Sequence, residues 1–425
     1  MRHENARADV LDHVDRLTTE MVAAAADLVR IPSISGSDAE NDAQAHMAEL
    51  LHHGALEVDH WAIDLDRLTT QPDFPGTEVD RREAWGLVGR LPGTGDGATL
   101  MLNGHIDVVP IGDPDAWSAG AFTGDVRDGR LWGRGACDMK GGLLAAHWAV
   151  QAIRSSGVRL RGDVLVASVQ GEEDGGLGTY ALLDRGWSAD ACVIPEPTDL
   201  DIVPANAGAL TFRLRVRGHA THASRRTEGV SVLEKFIPLW LALLELERRR
   251  HVVVDPTAAR WPLAHPLSIG TVRAGDWPSS VPDLLVAEGR LGVALDEPVE
   301  DARLALEEAV AAVNSADGWL REHPVEVEWW GGQFASGRLP AHSDLIERVA
   351  GAHVTATSRR PPDVWSAPYG SDLRLLVNHG GIPTLQYGPG DAMLAHAPDE
   401  SVPVDDIAIT ARTLATLALD VCGLA

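Results

Sequence analysis

Cysteine is nearly missing from this chain. Three occur in 425 residues, Cys137, Cys192 and Cys422, far apart and in no CxxC spacing. That excludes a disulfide framework and a thiolate zinc site. Long apolar runs are missing too, and no stretch approaches the ~18 residues a membrane span requires. Positive charge is scarce: 36 Lys and Arg stand against 62 Asp and Glu, a formal net charge of -26. Nucleic acid and anionic membranes both demand a basic face, so neither is expected as a partner. The N-terminal "MRHENARADVLDHVDRL" is charged and helix-like, without the apolar centre of a signal peptide, and the expectation is a cytoplasmic protein. Repeats and low-complexity segments are absent.

What remains is the composition of an ordinary globular protein, with 45% hydrophobic and 23% charged residues. At 425 residues the default is two domains. The outer parts alternate helical and strand patterns. Asp9 to Arg30 reads as an amphipathic helix, and "GGLLAAHWAVQAIRSSG" (Gly141–Gly157) as a helix of small and apolar residues ending at glycine. "ATLMLNGHIDVVP", "GDVLVASVQ", "ADACVIP" and "GIPTLQYGPG" are short apolar runs. The expectation is an α/β fold, a mostly parallel sheet with helices on both faces, formed by residues 1–206 and 334–425. Between them the pattern changes. "LTFRLRVRGHA" alternates apolar and basic residues, and the order strand–helix–strand–strand–helix–strand predicts an inserted α+β, ferredoxin-like domain over 207–333.

The apolar runs end in chemistry. "LMLNG" runs into His105, with Asp107 two positions on; "SVQG" runs into Glu172, Glu173 and Asp174; "CVIP" runs into Glu196; "LQYGPGDAMLA" leads to His396. Asp138 stands just before a glycine-rich helix start. Ligands bind beyond the carboxyl ends of strands in an open α/β sheet, so these side chains can converge there. Two His, two Glu and one Asp are nitrogen and oxygen ligands suited to zinc or a neighbouring divalent ion. Five are too many for one open tetrahedral site and about right for two ions sharing a carboxylate. Asp107 is placed to orient His105, and Glu172 to take a proton from an attacking water. Each motif alone reads equally well as a solvated loop; the joint pattern carries the inference.

"HIDVVP", "GRGACDMKGG", "GEED", "PEPT" and "AHAPDE" together resemble the metallohydrolases that include acetylornithine deacetylase, succinyl-diaminopimelate desuccinylase, aminoacylase and glutamate carboxypeptidase. The resemblance runs from "RIPSISG" at Arg30 to "AHAPDESV". It implies two divalent ions per subunit, zinc first, with cobalt or manganese also suited. It places His105 and Glu196 on one ion, Glu173 and His396 on the other, Asp138 between them, and a cis peptide after Asp138. Glu172 is then the general base and acid, and Asp107 supports His105. The inserted domain is implied to be a lid and a homodimer interface, with His222 of "GHATHAS" stabilising the oxyanion in the second subunit's site. Arg290 and the backbone of "GPGD", Gly388 and Gly390 included, are candidates for the substrate carboxylate. Ser280 stands where the family commonly has an asparagine, which alters that substrate contact. Ser371 in "PYGSD" reads either as pocket lining or as a helix N-cap.

The implied activity is removal of the acyl group from an N-acyl amino acid. A dipeptidase or carboxypeptidase fits the same residues, because both cut an amide beside a carboxylate. A metal-binding module without catalysis would have no use for Glu172, and a non-enzymatic scaffold would bind no metal at all.

Overall fold

The computed structural model describes residues 2–425. The chain forms two compact units, one running to Ala205 and resuming over Arg338–Trp365 and Ser371–Ala425, the other made of Asn206–Gly337 with Ser366–Gly370. The short Ser366–Gly370 segment belongs to the second unit through side-chain and backbone bonds that no local pattern announces: Trp261 Nε1 donates to the Ser366 carbonyl at 2.8 Å.

The first unit is built on a six-stranded sheet. In spatial order its strands are Glu57–Ala62, Trp85–Leu91, Val164–Val169, Leu100–His105, Ala191–Ile194 and Thr384–Gln386. The last four pair in parallel, and Trp85–Leu91 runs against both its neighbours. The parallel strands read as continuous apolar runs because both faces are covered. Leu100, Leu102, Val164, Val166 and Val193 point into one core with the helices Arg2–Arg30, Gly141–Ser155 and Val404–Val421. Met101, Leu165, Ala167, Cys192 and Ile194 point the other way, against Leu182, Leu373 and Leu376. Period-two side-chain alternation sorts one apolar run into two cores. The N-terminal helix begins at Arg2, seven positions before the expected Asp9, because its first two turns are polar and carry no apolar period.

The second unit follows the ferredoxin-like order. Its sheet places Leu267–Ala274, Leu284–Val293, Gly208–Arg217 and Glu326–Phe334 side by side, every pairing antiparallel. The helices Val232–Arg250 and Val299–Ala316 cover one face through Leu239, Leu243, Leu306 and Val310, packed on Leu210, Phe212, Leu214 and Leu285. The basic positions of the alternating strand lie on the other face, where Arg213 pairs with Glu288 at 2.7 Å and Glu328 at 3.0 Å. No helix among the described residues is long and apolar enough to cross a membrane.

Candidate metal centre

Four adjacent parallel strands of the first unit release their carboxyl ends toward one place. His105 is the last residue of its strand; Glu172 and Glu173 follow Val169; Glu196 follows Ile194; the chain beyond Gln386 leads to His396. Asp138 comes from the turn before helix Gly141–Ser155, and its peptide bond to Met139 is cis. The two oxygens of Asp138 face different histidines: Oδ1 is 3.2 Å from His105 Nε2, and Oδ2 is 3.4 Å from His396 Nε2. His396 Nε2 also lies 3.1 Å from Glu173 Oε2, and His105 Nε2 lies 3.9 Å from Glu196 Oε1. One ligand atom each from His105, Asp138 and Glu173 falls within a mutual 4.8 Å.

Local bonds aim these groups. His105 Nδ1 is 3.0 Å from the Asp107 carbonyl, which can only accept, so the proton sits on Nδ1 and Nε2 turns to the cluster. The Asp107 carboxylate, fully buried, accepts from the amides of Glu172 and Glu173 at 3.2 and 3.3 Å, and from the Ser35 hydroxyl at 3.0 Å. Asp107 therefore ties the His105 strand end to the Glu172–Glu173 turn. Behind Glu196, the Pro195 peptide is held by close approach of two glycines. A Cβ on Gly142 would fall 1.9 Å from the Pro195 carbonyl oxygen, and one on Gly388 would fall 2.4 Å from it.

The acids of the triplet have different fates. Glu172 is buried at the site, and Glu173 reaches His396. Asp174 turns inward, accepting from Thr77, the amides of Glu78 and Val79, and both terminal nitrogens of Arg81. Arg81 is shared with the buried Glu40 at 2.9 Å. Nothing local in the sequence separates the third acid from the first two, since Arg81 lies 93 positions away from it.

The electrostatics call for a cation. Burial, reinforced by Asp372, Glu196 and Glu173 and opposed by His105, lifts the Glu172 carboxyl well above its usual range. Burial and the charge of Asp138 do the same to Glu196, and burial raises Asp107 to about 7. Burial opposes a charge on His105, yet the Asp138 hydrogen bond and the surrounding carboxylates raise it well above its normal value. The charge of Glu173 leads in raising His396 to about 11. Burial alone would raise Asp138, but its hydrogen bonds with His105 and His396 hold it far below the carboxylate range. Histidine protons thus stand where divalent ions would compete, and ions there would let Glu196 keep its charge. Three of the four facing separations, 3.1–3.4 Å, match the roughly 3.3 Å expected between ligands around a shared ion bound at ~2.0–2.2 Å, and the fourth, His105 to Glu196, is longer at 3.9 Å. The donor set fits the metal.

The sequence profile of peptidase family M20/M25/M40 matches residues 101–420. The chain belongs to this family. It is a metallohydrolase acting on amide C–N bonds. An N-formyl-4-amino-5-aminomethyl-2-methylpyrimidine deformylase from Halalkalibacterium halodurans is 28% identical, with 98% of this chain and 97% of the relative aligned. A succinyl-diaminopimelate desuccinylase from Cereibacter sphaeroides is 30% identical over 91% of this chain and 94% of its own. Among solved structures, the dipeptidase Dug1p of Saccharomyces cerevisiae superposes with a TM-score of 0.77 at 15% identity, covering 98% of both chains. Human carnosine dipeptidase 1 gives a TM-score of 0.73 at 16% identity, covering 98% of this chain and 99% of its own.

The other residues singled out in this M20 chain lie as follows. His222 is exposed in the second unit, its Nδ1 accepting from the Ser224 amide at 3.2 Å. Ser280 pairs with it across a backbone bridge, so the two are neighbours. Arg290 projects from the Leu284–Val293 strand with its guanidinium carbon 5.5 Å from the Phe334 ring centre. Gly388 and Gly390 both make internal bonds. The Gly388 amide donates to Thr198 Oγ1 at 3.0 Å, and the Gly390 amide bonds the Asp406 carboxylate. Ser371 Oγ accepts from the Leu373 amide at 3.2 Å, the bond of an N-cap. Cys137 is buried beside Asp138, and burial pushes its thiol well up. Sequence reading did not single out Arg134, Glu400 or Asp372, all of them buried in this unit.

Proposed function

We propose that this chain is a deacylase that removes the acyl group from an N-acyl amine of amino-acid type, using two divalent ions, zinc first. The observation that supports this most is Asp138 offering one oxygen to each of two histidines, with a buried glutamate, Glu172, on the adjoining turn. His105 and Glu196 would hold one ion, Glu173 and His396 the other, with Asp138 between. Bound there, the ions would supply Lewis acidity toward the amide carbonyl and the attacking water. Glu172 takes a proton from that water on a carboxylate oxygen as the water oxygen attacks the carbonyl carbon. It delivers the proton to the amine nitrogen as the C–N bond breaks, so atoms and charge balance. Asp107 keeps the Glu172 turn and the His105 ring in register throughout. We assign oxyanion binding in the second subunit's site to His222. Acceptance at Nδ1 leaves the proton of the neutral ring on Nε2, a donor worth about 3–4 kcal/mol to the transition state.

Deacylation is preferred over peptide cleavage because the full-length relatives reported above are a deformylase and a desuccinylase, whereas the likeness to peptidases at 15–16% identity is one of fold. A homodimer through the second unit is supported by an unpartnered apolar stripe. Leu233, Ile237, Leu241 and Leu244 recur on one side of helix Val232–Arg250 and are exposed, beside the sheet edge Leu267–Ala274. Three buried, unpaired cysteines suit a reducing cytoplasm.

The test is a panel of N-formyl, N-acetyl and N-succinyl amino acids and amines, with dipeptides alongside, assayed for amine release with zinc, cobalt or manganese. Release from at least one N-acyl class well above all dipeptides is expected. Cleavage of dipeptides alone would overturn the deacylase reading.

A further inference from the structure

Two buried charges lie just outside the ligand set. Arg134 and Glu400 are each 1% exposed, and Arg134 NH1 lies 2.6 Å from Glu400 Oε2. The other oxygen of Glu400, Oε1, accepts from the amides of Cys137 and Asp138 at 3.0 and 3.1 Å. The Glu400 carbonyl accepts from the Gly133 amide at 2.9 Å. Arg134 reaches the carbonyls of Ala397 and Pro110, each at 3.4 Å, and the Trp117 ring covers its guanidinium at 5.2 Å. Three segments meet on this pair: the one after His105, the one carrying Asp138, and the one carrying His396. His396 itself has a left-handed backbone, φ 60°, uncommon for a residue other than glycine.

A buried ion pair is weak evidence for stability, because its desolvation cost offsets most of its attraction and apolar side chains could fill the same space. Apolar side chains could not accept from the Cys137 and Asp138 amides. Those two amides lead directly into the Asp138 side chain, so the Glu400 carboxylate sets where that side chain points. We propose that Arg134 and Glu400 are a positioning pair that locks the Asp138 and His396 segments together, so that the metal ligands are arranged before an ion arrives. This rests on the metal-site reading above.

The experiment uses the full chain and compares Glu400→Gln, Glu400→Ala and Arg134→Lys with the parent. It measures zinc affinity by competition with a chelating indicator, the visible spectrum of the cobalt-loaded protein, and the melting temperature of the metal-free protein. Glu400→Ala is expected to bind zinc about 10–100-fold more weakly and to shift the cobalt spectrum, the range seen when groups that orient metal ligands are removed. Glu400→Gln keeps an oxygen for the two amides and is expected to lose less. Arg134→Lys keeps the charge without the planar fork and falls on the same side of the parent. If Glu400→Ala does not fold, Glu400→Gln and Arg134→Lys carry the test. Affinity within twofold of the parent and an unchanged cobalt spectrum in the folded variants, with only the melting temperature lowered, would overturn the proposal by reducing the pair to a structural one. A parent chain that takes up neither zinc nor cobalt overturns the metal-site reading itself and the pairing with it.

Discussion

Nε2 of His105 lies 3.2 Å from Oδ1 of Asp138, across 33 positions of sequence. The remaining oxygen of Asp138 turns to His396, which makes this carboxylate the hinge of the whole cluster. Asp138→Asn keeps the shape and removes the charge. It should lower bound metal from about two ions per chain to under one and lower kcat with it, as read by elemental analysis beside an amide-hydrolysis assay. Two retained ions in the variant would contradict this role.

Glu172 tests the chemistry separately from the ligands. Glu172→Gln should retain the parent's metal content and lose about 10²–10⁴-fold in kcat, the usual contribution of a general acid–base. Glu173→Ala should instead lose metal. The opposite pattern, full activity in the first variant and full metal in the second, would exchange the roles of the two residues.

Arg81 neutralises Glu40 and Asp174 together, all three nearly excluded from water. Arg81→Met leaves two uncompensated acids facing each other, and breaking such a pair costs about 3–5 kcal/mol. Urea unfolding of the metal-free variant measures this. A loss under ~1 kcal/mol would show that the network is expendable, by the scale of an exposed pair.

His147 gives a pH dependence away from the metal. Neither ring nitrogen has a hydrogen-bond partner among the described residues, and burial lowers its pKa from 6.5 to about 3. The unfolded chain therefore takes up the proton first. Stability from this group is intact above pH 6.5 and is lost as pH falls from 6.5 toward 3. His147→Leu cannot titrate, so its melting temperature relative to the parent should rise as pH drops from 8 to 5. A difference that stays constant over that range would contradict the assignment.

The apolar stripe of the second unit predicts assembly. Ile237→Asp with Leu241→Asp should convert a dimer to a monomer by light scattering without loss of bound metal, since both positions are exposed. A parent that is already monomeric at the assay concentration would remove the stripe as an interface.

What could be read from the sequence was whatever each segment declares by itself. Three strand exits bear a histidine or a glutamate within a few residues of the last apolar position, a fourth leads on to His396, and the sheet brings those exits together because the strands are parallel and adjacent. The ferredoxin-like order was legible for the same reason, as alternation and period are local. What escaped was pairing at a distance. Asp174 looks identical to its neighbours until Arg81 is placed against it. Glu400, in a stretch already notable for His396, meets Arg134 across 266 positions. What the sequence could not show of "GPGD" is its packing: Gly388 lies close against Pro195, and the amides of Gly388 and Gly390 bond Thr198 and Asp406.

The most direct test is anomalous diffraction from crystals of the full chain grown with zinc or cobalt. The account predicts two peaks about 3.5–4 Å apart, one on each side of the Asp138 carboxylate, flanked by His105 with Glu196 and by His396 with Glu173. A single peak elsewhere in the molecule, or none near Asp138 at full metal occupancy, would contradict it.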